Sequence, residues 1–186
     1  MVVYLLIALA VFALDRVTKW IVATRLDLYE TVPVIGDFFA ITSIRNRGAA
    51  FGILQGQQLF FLVVTVVFLV GISWYLVRMA KERKTWTAAG LAMLLGGAVG
   101  NFVDRARHGE VVDFFQLHFK FSVFGLDVDY IYPIFNVADI GIVTGAAIVL
   151  IHTLVLWRRE SRAERGASRE ASGGPRETED AANDTV

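Results

Sequence analysis

The sequence predicts an all-α membrane protein of four transmembrane helices with short strands in its outer segments. Three observations carry that prediction. The 186 residues are 55% hydrophobic, with a mean hydropathy of +0.54, above the roughly 45–50% apolar usage of soluble domains. Four long apolar runs recur along the chain. Lys and Arg cluster at alternate ends of those runs, which is how membrane proteins mark their cytoplasmic face.

The first run, residues 2–22, is apolar from Val2 to Leu14 and then carries Asp15, Arg16 and Lys19. Ala8-Leu9-Ala10 loosely resembles a signal-peptide cleavage site, but no Lys or Arg precedes the run, so it reads as a retained span. Outer segment 23–58 mixes β-branched and aromatic residues with Pro33, Gly36, Gly48 and Gly52, the pattern of a few short strands lying on the membrane surface. The second span, Leu59 to Val77, is uncharged and covers about 28 Å as a helix, close to the hydrocarbon thickness.

A basic turn follows, with Arg78, Lys81, Arg83 and Lys84 against Glu82. The third span, 86–103, opens on Trp86. Segment 104–133 contains an alternating stretch from Phe119 to Val128 with a turn at Gly125. The fourth span, 134–157, is interrupted only by Asp139 and His152 and is followed by Arg158, Arg159, Arg162 and Arg165. Both basic clusters read as cytoplasmic, which puts both termini on that side and segments 23–58 and 104–133 outside. Residues 161–186 are Arg, Glu, Ala, Ser and Gly with almost no large apolar side chain, the composition of a disordered tail. One membrane domain, residues 1–160, and that tail complete the organisation.

The absence of cysteine removes disulfides, thiolate metal sites and a cysteine nucleophile. His108, His118 and His152 lack the spacing of a zinc site, and serine is scarce in the spans, which disfavours metal and Ser-His chemistry. What remains is a set of polar residues that three of the four spans bring to one outer level. Asp15 and Lys19 stand near the outer end of the first span, Asn101, Asp104 and Arg105 at that of the third, and Asn136 and Asp139 at the start of the fourth. Intramembrane charges cost about 2.5–3.5 kcal/mol each at a helix centre by insertion scales, so their placement is informative.

The i, i+3 and i+4 spacings allow Asn101, Asp104 and Arg105 to share one helix face, and Asn136 and Asp139 another. Small residues at Gly96-Gly97-Ala98-Val99-Gly100 and from Gly141 to Ala147 allow the third and fourth helices close approach. Asp15 with Lys19 or Arg105, and Asp104 with Arg105 or Arg107, can be structural ion pairs. Asn101 and Asn136 can hydrogen-bond across helices. Asp113 and Asp139 have no cationic partner nearby in sequence, which singles them out as the chemical pair. A proton-coupled carrier would spread carboxylates over several depths, and a scaffold would use the same cluster only as interhelical glue.

Four blocks carry a resemblance: Asp15-Arg16-Val17-Thr18-Lys19; Arg45-Asn46-Arg47-Gly48-Ala49-Ala50-Phe51-Gly52; Gly96 through Arg105; and Val111-Val112-Asp113-Phe114 with Phe135-Asn136-Val137-Ala138-Asp139. In order and spacing the chain resembles the lipoprotein signal peptidases, or type II signal peptidases. The resemblance implies that Asp113 and Asp139 are the catalytic dyad of an aspartic endopeptidase. It implies that Asp15, Lys19, Asn46, Gly48, Phe51, Asn101, Asp104, Arg105, Asn136 and Ala138 shape the site or bind substrate. It further implies four helices with a small extracytoplasmic β-cradle and a second short outer arm, in the bacterial inner membrane. The expected substrate is a diacylglyceryl-modified prolipoprotein, cut just before the lipidated cysteine, and the expected inhibitor is the cyclic peptide globomycin. Membrane lipids are the other expected partners of a monomer that needs no cofactor, metal or nucleic acid. Two departures from the family pattern are Tyr132-Pro133, where Trp is frequent, and the additional Asp127 and Asp129.

Overall fold

The computed structural model describes residues 1–48, 57–123 and 125–172. Along the chain they form α1 (Val2–Arg25), β1 (Thr31–Ile35), β2 (Phe39–Asn46), α2 (Gln58–Lys81), α3 (Thr85–His108), β3 (Val111–Val123), β4 (Leu126–Ile131) and α4 (Val137–Ser172). The molecule is mostly helical with a small antiparallel sheet. Among the described residues, α2, α3 and residues Val137–Arg165 of α4 are long and apolar enough to cross a membrane. α1 has the length, but Asp15, Arg16 and Lys19 keep it out of that set.

Solvent-facing chemistry is inverted in the helices. α2 exposes Leu59, Phe60, Val63, Val67, Phe68, Val70 and Trp74, while its buried residues are only Leu76 and Met79. A surface of that kind is stable against lipid tails and a liability in water. α3 is the central helix. Ala8 of α1, Leu76 and Met79 of α2 and Ala88, Leu91 and Ala92 of α3 form one buried cluster. Close packing depends on glycine: a Cβ on Gly97 would collide with the backbone of Ala138, and one on Gly100 would lie 2.5 Å from Asp15 Oδ2. The small residues anticipated between the third and fourth helices therefore do bring them together.

The chain divides into two compact units, Met1–Val149 and Leu150–Val186. In the second unit the described residues are helical through Ser172. Residues 161–172, expected as disordered, thus depart from expectation, because Arg, Glu and Ala are good helix formers and extend a helix already nucleated.

The sheet has the order β1-β2-β3-β4. β2 pairs with the first half of β3, from Phe39↔Leu117 to Asn46↔Val111, and β4 pairs with its second half, from His118↔Ile131 to Val123↔Leu126. The turn anticipated at Gly125 is present, with φ +78°. It sits in a longer hairpin than the alternation of residues 119–128 indicated. Beyond β4 the chain keeps returning along β3: Tyr132 N–H donates to the Leu117 carbonyl at 2.9 Å, and Phe135 bridges Phe115. Pro133, between them, has no N–H to give. This return delivers Asn136 and the start of α4 beside Asp113.

Candidate active site

Asp113 stands on β3 opposite Ile44 of β2 and is 3% exposed. Asn46, two residues along β2, donates from Nδ2 to Asp113 Oδ2 at 2.9 Å, and Asn136 Nδ2 donates to Asp113 Oδ1 at 2.6 Å. Burial pushes the carboxyl up to about 6, with the neighbouring Asp139 charge acting in the same direction and the two amide donors opposing. The side chain is thus held by a strand, and its amide partner Asn46 lies 67 positions away.

Asp139 lies in the first turn of α4. Its Oδ2 accepts the Asn136 backbone N–H at 3.0 Å, and the Asn136 Oδ1 accepts the Asp139 N–H at 3.0 Å. That reciprocal pair is a capping box. The expected sharing of one helix face by Asn136 and Asp139 is corrected here: Asn136 precedes the helix as its cap, and the three-residue spacing serves the box. Asn101 Nδ2 supplies the carboxylate's second donor, to Asp139 Oδ1 at 2.9 Å. Asn136 therefore touches both carboxylates, one through its amide and one through its backbone.

Behind this pair lies a sealed ionic network. Lys19, 2% exposed, places its ammonium 2.9 Å from Asp15 Oδ2, 2.8 Å from Asn101 Oδ1 and 2.8 Å from Asp104 Oδ2. The contacts to Asp15 and Asn101 are hydrogen bonds, whereas the contact to Asp104 Oδ2 is an ion pair in which that buried oxygen accepts no hydrogen bond. Because Lys19 claims the Asn101 oxygen, the Asn101 amino group faces Asp139. Asp15 is fully buried and accepts the Ala138 N–H at 3.0 Å, satisfying another free donor of the α4 N-terminus. Ala138 contributes through its backbone and a 0% exposed methyl group.

Asp104 pairs with Lys19 and Arg16 rather than with Arg105 or Arg107. The correction has a geometric cause, since Asp104 and Asn101 are buried and turn toward α1 whereas Arg105 is half-buried. Arg16 was missed as a site residue. Its 88-residue separation from Asp104 leaves no local signal.

The two aspartates open onto a cavity of about 930 Å³ whose walls include Asn46, Arg105, Tyr130, Tyr132 and Phe135. Arg105 donates to the Gly48 carbonyl at 3.2 Å, and its guanidinium lies 5.1 Å from the Phe61 ring centroid. Gly48 also donates its N–H to Asn46 Oδ1 at 3.0 Å, closing a turn that orients the Asn46 amide. Phe51 lies outside the described residues. Tyr130 and Ile131 were not anticipated; their exposed position on β4 became legible only with the hairpin in place. Asp129, one of the two additional carboxylates, accepts a 2.6 Å hydrogen bond from His118, and that bond holds its carboxyl below the usual range. Among the described residues no group of three or more His, Asp or Glu side chains is arranged to hold a metal ion.

Comparison with known proteins identifies the family of the chain. The family model described as signal peptidase (SPase) II matches residues 7–155. A lipoprotein signal peptidase of Bacillus velezensis is 44% identical over 151 residues, 81% of this chain and 93% of that protein. One of Bacillus pumilus is 47% identical over 152 residues, 82% of this chain and 92% of its own length. A solved bacterial membrane enzyme, determined by the in meso method at 2.3 Å resolution, is similar with a TM-score of 0.70 and 36% identity, covering 83% of this chain and 88% of that one. With a match across nearly the whole helical bundle, the chain belongs to the signal peptidase II family of peptidases.

Proposed function

We propose that this protein is an intramembrane aspartic endopeptidase that removes signal peptides from diacylglyceryl-modified bacterial prolipoproteins, cutting before the lipidated cysteine. The observation that carries the chemistry is Asn136, which hydrogen-bonds Asp113 and Asp139 at once and so holds two carboxylates at one cavity wall. Two carboxyl groups bonded by one residue at one cavity wall, with the charge of Asp139 acting on Asp113, share one proton in this reading, because ionising both is costly. The ionised member takes a proton from water as the oxygen attacks the scissile carbonyl carbon. The protonated member gives its proton to the carbonyl oxygen. Collapse of the tetrahedral intermediate then breaks the C–N bond, with a proton delivered to the leaving amine of the cysteine. The pair titrates as a unit, so neither role is fixed to one aspartate.

α1 serves as the fourth span in this reading. Its charges are matched: Asp15 and Asp104 against Lys19 and Arg16 leave no net charge inside the bundle. Basic residues 78–84 and 158–165 support a cytoplasmic position for those ends and for both termini, in what this reading takes to be the bacterial inner membrane. Residues 1–160 act as one membrane domain, with the cavity near the outer face. There the acyl chains of the substrate stay in lipid while its peptide bond meets water. The β-sheet plays the cradle, and the β3–β4 hairpin the second outer arm. Globomycin competes for the same cavity, and the enzyme works as a monomer without cofactor.

The test is to incubate the purified protein in detergent with a prolipoprotein carrying the diacylglyceryl group and with the same protein lacking it. Mass spectrometry should show a single cut before the modified cysteine, in the modified substrate only, at a rate unchanged by EDTA. Equal cleavage of both substrates, or loss of activity on chelation, contradicts the reading.

A further inference from the structure

Arg105 presents a physical problem. It lines the same cavity as Asp113 and Asp139 and interacts electrostatically with both and with Asp104. An arginine beside two carboxylates ordinarily closes on one of them as a bidentate ion pair. Such closure would strip the dyad of its shared proton. Yet among the described residues no carboxylate oxygen lies within 4.0 Å of the Arg105 guanidinium.

Two contacts hold it back. One guanidinium nitrogen donates to the Gly48 carbonyl at 3.2 Å, and the cation rests 5.1 Å from the Phe61 ring centroid. Gln58, one turn earlier on α2, donates from Nε2 to the Arg105 carbonyl at 2.9 Å and so keeps the turn that carries Phe61 beside Arg105. The α2 N-terminus is thereby tied to the α3 C-terminus. We infer that Phe61 is a positioning residue for the reaction: its ring retains the Arg105 guanidinium beside the dyad, where it can meet a substrate carbonyl, and prevents it from pairing with Asp113 or Asp139.

The inference rests on the dyad reading above. The charged groups around Asp113 are Lys19 from α1, Arg105 from α3 and Asp139 from α4, together with Arg45 of β2, Arg47 and Glu110, which line the same cavity, and the neutral Asn46 donates from β2. Of the cations, Lys19 is held by Asp15, Asn101 and Asp104, and Arg45 and Arg47 are paired with Glu110. Arg105 is therefore the group whose release would change the dyad.

The experiment compares pH profiles of kcat and KM for Phe61→Leu, Phe61→Tyr and Phe61→Leu/Arg105→Gln, using a diacylglyceryl-modified prolipoprotein in detergent. Phe61→Leu should move the limb that reports loss of the shared proton about one unit toward acid, because an ion pair of that kind lowers a carboxyl by about 1–3 units. At pH 7 kcat should then fall about ten-fold, with KM changed less than about two-fold. Phe61→Tyr keeps the cation–π face and should keep the parental profile. The double variant should follow the profile of Arg105→Gln alone. A limb that stays in place in Phe61→Leu, or that moves as far in Phe61→Tyr, overturns the inference and leaves the dyad reading intact. Undiminished cleavage by Asp113→Asn or Asp139→Asn sinks the dyad reading instead.

Discussion

Two acidic clusters sit side by side in one helical bundle and are built to opposite rules. In the sealed one, Asp15 and Asp104 face Lys19 and Arg16, with Asp15 and Lys19 almost wholly inaccessible. In the open one, Asp113 and Asp139 face each other across Asn136, receive only neutral donors, and line a cavity. Matched charges are spent on holding α1, α3 and α4 in register. Unmatched carboxylates keep a titratable proton available. The same residue type thus builds the fold in one place and, in the proposed reading, the chemistry in the other, and the difference lies in what each carboxylate faces.

Breaking the open cluster should affect rate far more than stability. Asp113→Asn and Asp139→Asn should each lower cleavage by about 1000-fold or more, the scale expected when a group essential to proton transfer is lost. Their thermal midpoints should fall less than that of Lys19→Met, since the amide keeps one of the two accepting oxygens and leaves no buried charge unpaired. Rates and unfolding curves on the same samples check both halves. Breaking the sealed cluster should do the reverse. Lys19→Met leaves Asp15 and Asp104 short of their shared cation, and removing one partner of a buried ionic group costs about 3–5 kcal/mol. Denaturant titration in detergent reads that loss, and adding Asp104→Asn should recover part of it.

The seam between the clusters offers a smaller perturbation. Gly100→Ala would set a methyl group 2.5 Å from Asp15 Oδ2, and overpacking of this kind costs about 1–3 kcal/mol. A drop in melting temperature together with weakened cleavage is expected, because Asp15 also holds the Ala138 N–H at the head of α4. The finest perturbation is Asn46→Leu. Its amide favours the charged form of Asp113, so its removal should raise the associated limb of the pH–rate profile, upward from about 6.

The stability consequence of Asp113 has a definite sign. Its folded value of about 6 exceeds its ordinary 3.8, so the folded state binds the proton more tightly. The stabilisation is fully present below 3.8 and is lost as pH rises through 6. Asp113→Asn, neutral at all pH, should remove that dependence from unfolding measured between pH 4 and 7.

What could be read from residues alone follows the reach of each interaction. The apolar run of α2 announces itself, since lipid demands an unbroken stretch. Asn101, Asp104 and Arg105 were legible as a group because three and four residues make a helix turn. Asp104's true partners were not, because Lys19 and Arg16 come from a helix more than 80 residues away and compete successfully with Arg105 in the next position. The hairpin turn at Gly125 was legible, but the 13-residue length of β3 was not. Its first half alternates against β2, its second against β4, and only the two pairings together explain why Asp113 reaches Asn136. The capping box was available in the sequence as Asn136-Val137-Ala138-Asp139 and was read as a helix face. A span placed from Ile134 rather than Val137 hides a cap inside the helix.

The claim on which all of this depends is that Asp113 and Asp139 hold one proton between them. Carbon-13 NMR of aspartate-labelled protein in detergent tests it directly, with Asp113 identified by its loss in Asp113→Asn. The Asp113 carboxyl should titrate with a midpoint of about 6 and move to lower pH when Asp139 is replaced by Asn, because the Asp139 charge contributes to its elevation. A midpoint at the ordinary 3.8, indifferent to Asp139→Asn, would contradict the shared proton.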